Sequence, residues 1–185
     1  MKKNKRTLWL FIVLAVIQLA VPLYMIWRFE DTLQTGQQYT WITAPVDPYD
    51  ALRGRYVDLQ FKDAKAPILN SDLLHSGQTA YAIIAKDEKG HAFISGVSAF
   101  RPEGNAYINV KINYIQDNTI ANFTLPFKRY YMREELAPIA ERAYRQNAGR
   151  DGIVTVRVKN GNAVVEELYI GDKTIYEYLR AERQK

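Results

Sequence analysis

The chain has 185 residues, of which 48% are hydrophobic, so it can bury the core of about one ordinary domain. It contains no cysteine, which excludes disulfides, thiolate catalysis and cysteine metal sites. The net charge of +5 arises within residues 1–28, and the neutral remainder lacks the basic excess expected of a nucleic-acid-binding protein.

The first predicted element is a membrane-spanning helix over residues 7–27 (TLWLFIVLAVIQLAVPLYMIW), a stretch without Asp, Glu, Lys, Arg or His. A helix of about 20 residues, at about 1.5 Å per residue, spans the roughly 30 Å hydrocarbon layer of a bilayer. A buried core helix is the alternative, but such a helix usually keeps a polar face. Trp9, Tyr24 and Trp27 lie near the two ends of the span, where amphipathic rings prefer the headgroup level.

The charges that flank this span predict its orientation. The segment before it contains the basic residues Lys2, Lys3, Lys5 and Arg6. After the span, Arg28 is offset by Glu30 and Asp31. The positive-inside rule therefore places residues 1–6 in the cytoplasm and the chain from Phe29 onward outside it, for example in a bacterial periplasm.

A cleaved signal peptide is the alternative to an anchor. However, the apolar run is longer than a typical signal-peptide core, and no A-x-A-like cleavage site follows it. We therefore expect an uncleaved, single-pass anchor in the cell (inner) membrane, with the lipid bilayer as one partner.

A short polar segment, residues 28–38, is predicted to connect the anchor to an extracytoplasmic domain over residues 39–185. From Tyr39 onward, short alternating apolar runs are separated by turn residues, as is typical of antiparallel strands. Gly90 and the pair Asn160-Gly161 indicate two hairpin turns. The expected strands cover residues 39–43, 55–61, 79–86, 91–100, 106–115, 119–127, 153–159 and 162–170.

One amphipathic helix is predicted over residues 135–146, because its apolar residues recur at the spacing of one helical face. Pro138 must lie in the first turn of this helix, and Gly149 is expected to end it. The fold class that follows is α+β: a transmembrane helix, then a mainly antiparallel β domain that can curl toward a barrel, with one helix.

The stretch DPYDALRGRYVDLQF, residues 47–61, concentrates charged residues ahead of an alternating run. Asp47 and Asp50, with Asp58, are candidates for an acid/base carboxylate pair or a calcium site. The alternative is turn chemistry, in which aspartate oxygens accept backbone N–H groups. The sequence favours the turn interpretation.

A second enriched stretch, FKRYYMREE, spans residues 127–135 and precedes the predicted helix. Exposed Arg and Tyr are typical of binding surfaces, although tyrosines in a strand-to-helix linker also serve packing. We expect the two enriched stretches to form one contact surface. Its candidate residues are Arg53, Arg55, Tyr56, Arg129, Tyr130 and Tyr131.

Other chemistries have little support in the sequence. The two histidines, His75 and His91, do not show a zinc-ligand spacing, and lone histidines are usually structural. There is no Ser-x-x-Lys, no Gly-x-Ser-x-Gly and no phosphate-binding glycine loop. We therefore expect no catalytic residue, no metal and no cofactor.

The segment GRYVDLQF, with PVDPYDALR before it, resembles the signature of the bacterial family named for its GDYXXLXY motif. Gly54, Tyr56 and Leu59 match that motif, whereas Arg55 replaces its aspartate and Phe61 its final tyrosine. The later Arg-Tyr-Tyr segment and terminal Asn-Gly hairpin are also similar. The resemblance implies a membrane-anchored protein of unestablished function, often associated with multi-spanning membrane proteins. The departure at Arg55 argues against an indispensable catalytic acid at that position.

The expected function is thus a non-enzymatic accessory or binding module, anchored in the envelope, for a membrane partner. One alternative is a hydrolase of an envelope polymer that uses Asp47 and Asp50. Another is an extracytoplasmic ligand sensor, although the cytoplasmic tail, residues 1–6, is too short for a signalling domain.

Overall fold

The computed structural model describes residues 2–44, 56–61, 64–69 and 74–183. Within these residues, a long helix precedes a β domain that carries two further helices. The elements are α1 (Lys2–Thr35), β1 (Gln37–Ile42), β2 (Tyr56–Asp58), β3 (Lys65–Pro67), β4 (Thr79–Lys86), β5 (Ala92–Ser98), β6 (Tyr107–Gln116), β7 (Ile120–Thr124), β8 (Arg129–Tyr131), α2 (Ala137–Asn147), β9 (Gly152–Lys159), β10 (Asn162–Ile170), β11 (Lys173–Thr174) and α3 (Ile175–Arg183).

Helix α1 has 34 residues, which corresponds to a length of about 50 Å. By length and composition it can cross a membrane, and its apolar side chains are exposed. It is longer than the sequence predicts. Most of the polar segment at residues 28–38, predicted to connect anchor and domain, continues the helix to Thr35, and β1 begins after Gly36 alone.

The polar end of α1 is held by side-chain contacts with the hairpin of β9 and β10. The Lys159 ammonium donates to Asp31 at 2.7 Å and to the Thr35 hydroxyl at 2.6 Å. The Arg28 guanidinium donates to the amide oxygen of Asn162. Thr32 is buried, so the last turns of the helix pack on the domain instead of extending freely from it.

The β domain contains a nearly closed barrel. Five antiparallel strands lie in the order β3-β7-β6-β4-β5, and a bridge between Ile68 and Val97 joins the two edge strands. The Leu69 N–H donates to the Val97 carbonyl at 2.9 Å, which strengthens this closure. A four-stranded sheet, β1-β9-β10-β11, and a two-stranded sheet, β2-β8, complete the domain. The predicted α+β class and the barrel-like curl are confirmed.

The predicted turns adopt the expected backbone conformations. Gly90 has a φ of 84° in the β4–β5 hairpin, and Asn160 and Gly161 have φ values of 50° and 78° in the β9–β10 hairpin. Pro138 lies in the first turn of α2, and Gly149, with a φ of 80°, follows the end of that helix. These features depend on local sequence, which explains why the pattern identifies them.

The sequence pattern misses four elements. Strands β3, β8 and β11 are only two or three residues long, too short for an alternation to be recognised. The prediction of one amphipathic helix is corrected by α3. A capping box precedes α3: the Glu177 carboxylate accepts from the Thr174 N–H and hydroxyl, each at 2.9 Å. The Thr-x-x-Glu spacing is the sequence signal of this helix start.

One hydrophobic core connects the sheets. Trp41 of β1 is 1% exposed, and its ring lies 5.2 Å from that of Phe127. At another junction, the Asn109 N–H of β6 donates to the Gly161 carbonyl at 2.9 Å, so the β9–β10 hairpin tip docks on the barrel. The β domain is therefore packed as one unit above the end of α1.

Candidate binding surface

The two stretches enriched in Arg and Tyr meet in the structure. Strands β2 and β8 pair antiparallel, with Tyr56 opposite Tyr131 and Asp58 opposite Arg129. The Leu59 N–H extends this pairing by donating to the Lys128 carbonyl at 2.7 Å. Residues that are far apart in the sequence thus form one small sheet.

Alternation along this sheet determines which side chains face outward. Arg129 and Tyr131 are exposed, the latter by 69%, and Tyr56 is half-buried between them. The Arg129 guanidinium lies over the Tyr56 ring, 4.5 Å from its centroid, and the Tyr131 ring approaches the same ring edge-on at 5.8 Å. Together with Asp58, these three residues are called the Tyr56 surface below.

Tyr130, also predicted to belong to the contact surface, faces away from Arg129 and Tyr131. As the middle residue of β8 it points inward and is 8% exposed. Its hydroxyl donates to the Glu167 carboxylate at 2.6 Å. Burial, and next the hydrogen bond to Glu167, raise the pKa of the Tyr130 phenol well above its usual range. Tyr130 is therefore a core residue with one buried polar contact.

The remaining motif residues anchor the Tyr56 surface to the core. Val57 and Leu59 are buried, as the predicted alternation requires. Phe61, which replaces the final tyrosine of the motif, packs edge-on against Phe127 at 5.2 Å. The motif thus combines an outward tyrosine with an inward leucine and a partly buried aromatic ring.

A cleft of about 900 Å³ lies beside the Tyr56 surface and reaches α1. Its wall includes Phe29 of α1, residues 128–131 of the β8 segment with the largely buried Tyr130, and Val164 and Glu166 of β10. The sequence does not indicate that Phe29 and Glu166 belong to this region, because they join it only through tertiary contacts. The cleft therefore contains apolar, cationic and anionic side chains.

Glu166 is, with Asp58, one of two anionic residues that line this cleft, and its environment stabilises its charge. The Arg157 guanidinium donates to it at 2.7 Å, and the Gln38 amide donates at 2.7 Å. The hydrogen bond from Arg157, opposed by burial and aided by Gln38, holds the pKa of Glu166 below its usual range. Glu166 is thus ionised at neutral pH.

Several predicted site residues lie outside the described part of the chain. Arg53 and Arg55, predicted to bind a partner, fall there, as do Asp47 and Asp50, the alternative carboxylate pair. Whether these residues join the Tyr56 surface therefore stays a prediction. Asp58 is described and lies at the cleft edge.

The histidines do not form a metal site with other described residues. Among residues 2–44, 56–61, 64–69 and 74–183, no group of three or more His, Asp or Glu side chains could hold a metal ion. His91 lies in the β4–β5 turn, where its N–H donates to the Asp87 carboxylate at 2.8 Å. This contact agrees with a structural role for His91.

Comparison with known proteins provides one match. The family model described as "GDYXXLXY protein" matches residues 18–168, from the middle of α1 almost to the end of β10. No curated protein and no solved structure matched the chain. Since the family model covers most of the sequence, the chain belongs to the GDYXXLXY family.

Proposed function

We propose that this chain is a single-pass, membrane-anchored envelope protein whose β domain lies outside the cytoplasm and serves as a non-enzymatic binding module for a membrane partner. The observation that carries this proposal is the β2–β8 pairing, which joins Tyr56, Arg129 and Tyr131 in one outward-facing surface. Arginine and tyrosine are, with tryptophan, enriched among the residues that contribute most to binding at protein interfaces.

The position of the Tyr56 surface supports a partner in the same membrane. Phe29 lines the cleft together with Arg129 and Tyr131, and it follows Trp27 by only two residues. If Trp27 lies at the headgroup level, the cleft opens just above the bilayer. A membrane protein can present a loop at this height. Such a loop would contact both the polar and the apolar side chains of the cleft.

The electrostatics of the cleft support binding over acid/base catalysis. A catalytic acid or base works best with a pKa near the operating pH. The pKa of Glu166 is shifted downward and that of Tyr130 upward, in both cases away from neutrality. Both groups are also engaged in hydrogen bonds, Glu166 with Arg157 and Tyr130 with Glu167.

The topology can be tested by a reporter fused after Lys185. We expect alkaline phosphatase, which is active only outside the cytoplasm, to be active in the fusion, and a cytoplasmic reporter to be inactive. The positive-inside distribution of charge predicts this outcome. The opposite pattern would reject the extracytoplasmic placement of the β domain.

The binding role can be tested by affinity recovery of the full chain from detergent-solubilised membranes. We expect Arg129→Ala to lower co-recovery of a membrane protein by about tenfold, since a central interface residue contributes about 1–2 kcal/mol or more. Arg101→Ala is the matched control, because Arg101 also lies over a tyrosine ring, that of Tyr107, at 5.3 Å. Equal recovery with both variants would count against the Tyr56 surface as the contact site.

A further inference from the structure

A polar side chain lies in the middle of the apolar part of α1. Gln18 is the only residue with an amide or charged side chain in residues 8–23, and it is one position from the centre of the span at residues 7–27. Its side chain is exposed on the helix surface. In hydrocarbon, where water is excluded, an amide side chain favours contact with another hydrogen-bonding group.

Pro22 adds a second polar group at the same place. It lies inside α1, and proline has no N–H to donate to the carbonyl four residues earlier. That carbonyl belongs to Gln18. Gln18 therefore carries both a side-chain amide and a backbone acceptor that its own helix does not satisfy, near the bilayer centre.

These groups lie on a continuous stripe that we call the Gln18 face. It consists of Phe11, Ala15, Gln18, Pro22, Met25 and Phe29. The spacing alternates between four and three residues, and at about 100° per residue all six lie within about 40° of one line. This alternation of three and four residues is typical of the contact face of helices that pair side by side.

The β domain leaves open the part of this face from Phe11 to Met25, whereas Phe29, at its end, also lines the cleft beside the Tyr56 surface. The residues of α1 that bind the β9–β10 hairpin include Arg28, Asp31 and Thr35. At about 100° per residue, they lie roughly 100–160° around the helix from Phe29. Phe11 and Met25 are 66% and 52% exposed. A second helix can therefore approach the Gln18 face between Phe11 and Met25 without displacing the hairpin.

We propose that the Gln18 face binds a second copy of this chain, forming a parallel pair of α1 helices with the two Gln18 side chains in contact. This inference rests on the proposed function, because it requires α1 to span the bilayer. An identical copy places its Gln18 at the same depth, and a primary amide both donates and accepts, so a two-fold pair satisfies both side chains. A helix of another protein would need a polar group placed at that depth.

Disulfide formation in native membranes tests the pairing directly, because the natural chain contains no cysteine. Ala15→Cys places a thiol on the Gln18 face, and Ala20→Cys places one about 180° away, as judged from the helical repeat. Under mild oxidation we expect a disulfide-linked dimer of Ala15→Cys and little from Ala20→Cys. Equal dimer from both, or no dimer from Ala15→Cys, would overturn the proposal.

The role of the amide is tested in the Ala15→Cys background. Adding Gln18→Leu is expected to reduce the dimer about threefold or more, whereas Gln18→Asn preserves part of it and Ile17→Leu leaves it unchanged. If Gln18→Leu has no effect, the amide does not hold the pair. A cysteine adduct only with a different protein would assign the Gln18 face to that protein instead.

Carbonate extraction of the same membranes separates this inference from the proposed function. Retention of every variant in the membrane pellet, with equal cross-linking of Ala15→Cys and Ala20→Cys, rejects the pairing and keeps the anchor. Release of the chain from the pellet rejects the anchor and, with it, the pairing.

Discussion

The Arg129 guanidinium lies over the ring of Tyr56, 4.5 Å from its centroid, across the β2–β8 pair. This contact joins the signature motif to the second stretch enriched in Arg and Tyr. Tyr131 packs edge-on against the same ring, so Tyr56 lies between two side chains of β8. The arrangement gives an arginine on the domain surface a defined orientation, which is a requirement for a specific contact.

Arg129→Ala is expected to have little effect on folding. An exposed cation–π contact contributes about 0.5–1 kcal/mol, so the free energy of unfolding should fall by no more than about 1 kcal/mol. Urea unfolding of the full chain in detergent micelles, followed by circular dichroism, measures this value. A much larger loss would mean that reduced partner recovery reflects misfolding, and it would remove that argument for a binding surface.

Tyr130→Phe is expected to be destabilising without affecting partner recovery. The change removes the hydrogen bond from the Tyr130 hydroxyl to the Glu167 carboxylate, and a bond to a charged group contributes about 1.5–3 kcal/mol. Tyr131→Phe, at an exposed position, should change the free energy of unfolding by less than about 0.5 kcal/mol. Similar losses in both variants would contradict the inward position of Tyr130.

Gly161→Ala tests the docking of the β9–β10 hairpin tip on the barrel. Gly161 has a φ of 78°, and an added methyl group would lie 2.5 Å from the Asn109 side-chain amide. Gly104, with a φ of 76° and open space around it, is the matched control. We expect Gly104→Ala to cost about 1 kcal/mol from backbone strain and Gly161→Ala about 1 kcal/mol more.

Adding Asn109→Ala makes this test specific. The shorter side chain leaves room for the new methyl group, so in that background Gly161→Ala should cost about as much as Gly104→Ala. Thermal unfolding of Gly104→Ala, Gly161→Ala, Asn109→Ala and the double variant of Asn109 and Gly161 measures these costs in stability. If Asn109→Ala does not reduce the cost, the strain does not come from contact with β6.

The stability of the domain should depend on pH through Glu166. Its pKa is lower in the folded chain, so its ion pair with Arg157 contributes stability above its unfolded pKa of about 4.3. This contribution is lost as the pH falls through the folded pKa. Glu166→Gln should therefore destabilise the chain by up to about 1 kcal/mol at pH 7 and by progressively less below pH about 4. Unfolding midpoints measured across pH provide the check, and a difference independent of pH would contradict the ion pair.

Local features of the fold could be predicted from the sequence, whereas the full set of residues in the Tyr56 surface could not. Some features depend only on residues close to them in the sequence. These are the apolar run of α1, the proline and glycine at the two ends of α2, and the Asn160-Gly161 turn. The pairing of Tyr56 with Tyr131 joins distant segments through three residues per strand, and no periodicity is visible over such a length. The inward position of Tyr130 depends on that pairing and was missed for the same reason.

The end of α1 illustrates a second limit. A polar, glycine-containing segment normally indicates a linker, and the sequence does not show that residues 28–35 are stabilised by contacts with distant residues. The ion pair between Asp31 and Lys159 and the burial of Thr32 supply those contacts. Tertiary packing thus determines the helix end, which local propensity predicts poorly.

Photo-crosslinking in intact cells shows whether the Tyr56 surface contacts a membrane protein. A photoreactive phenylalanine derivative at position 131 is compared with the same group at position 114, since Tyr131 and Tyr114 are 69% and 57% exposed. We expect a discrete adduct with a membrane protein from position 131 and none from position 114. No adduct from position 131, or the same adducts from both positions, would show that the Tyr56 surface is not the contact site.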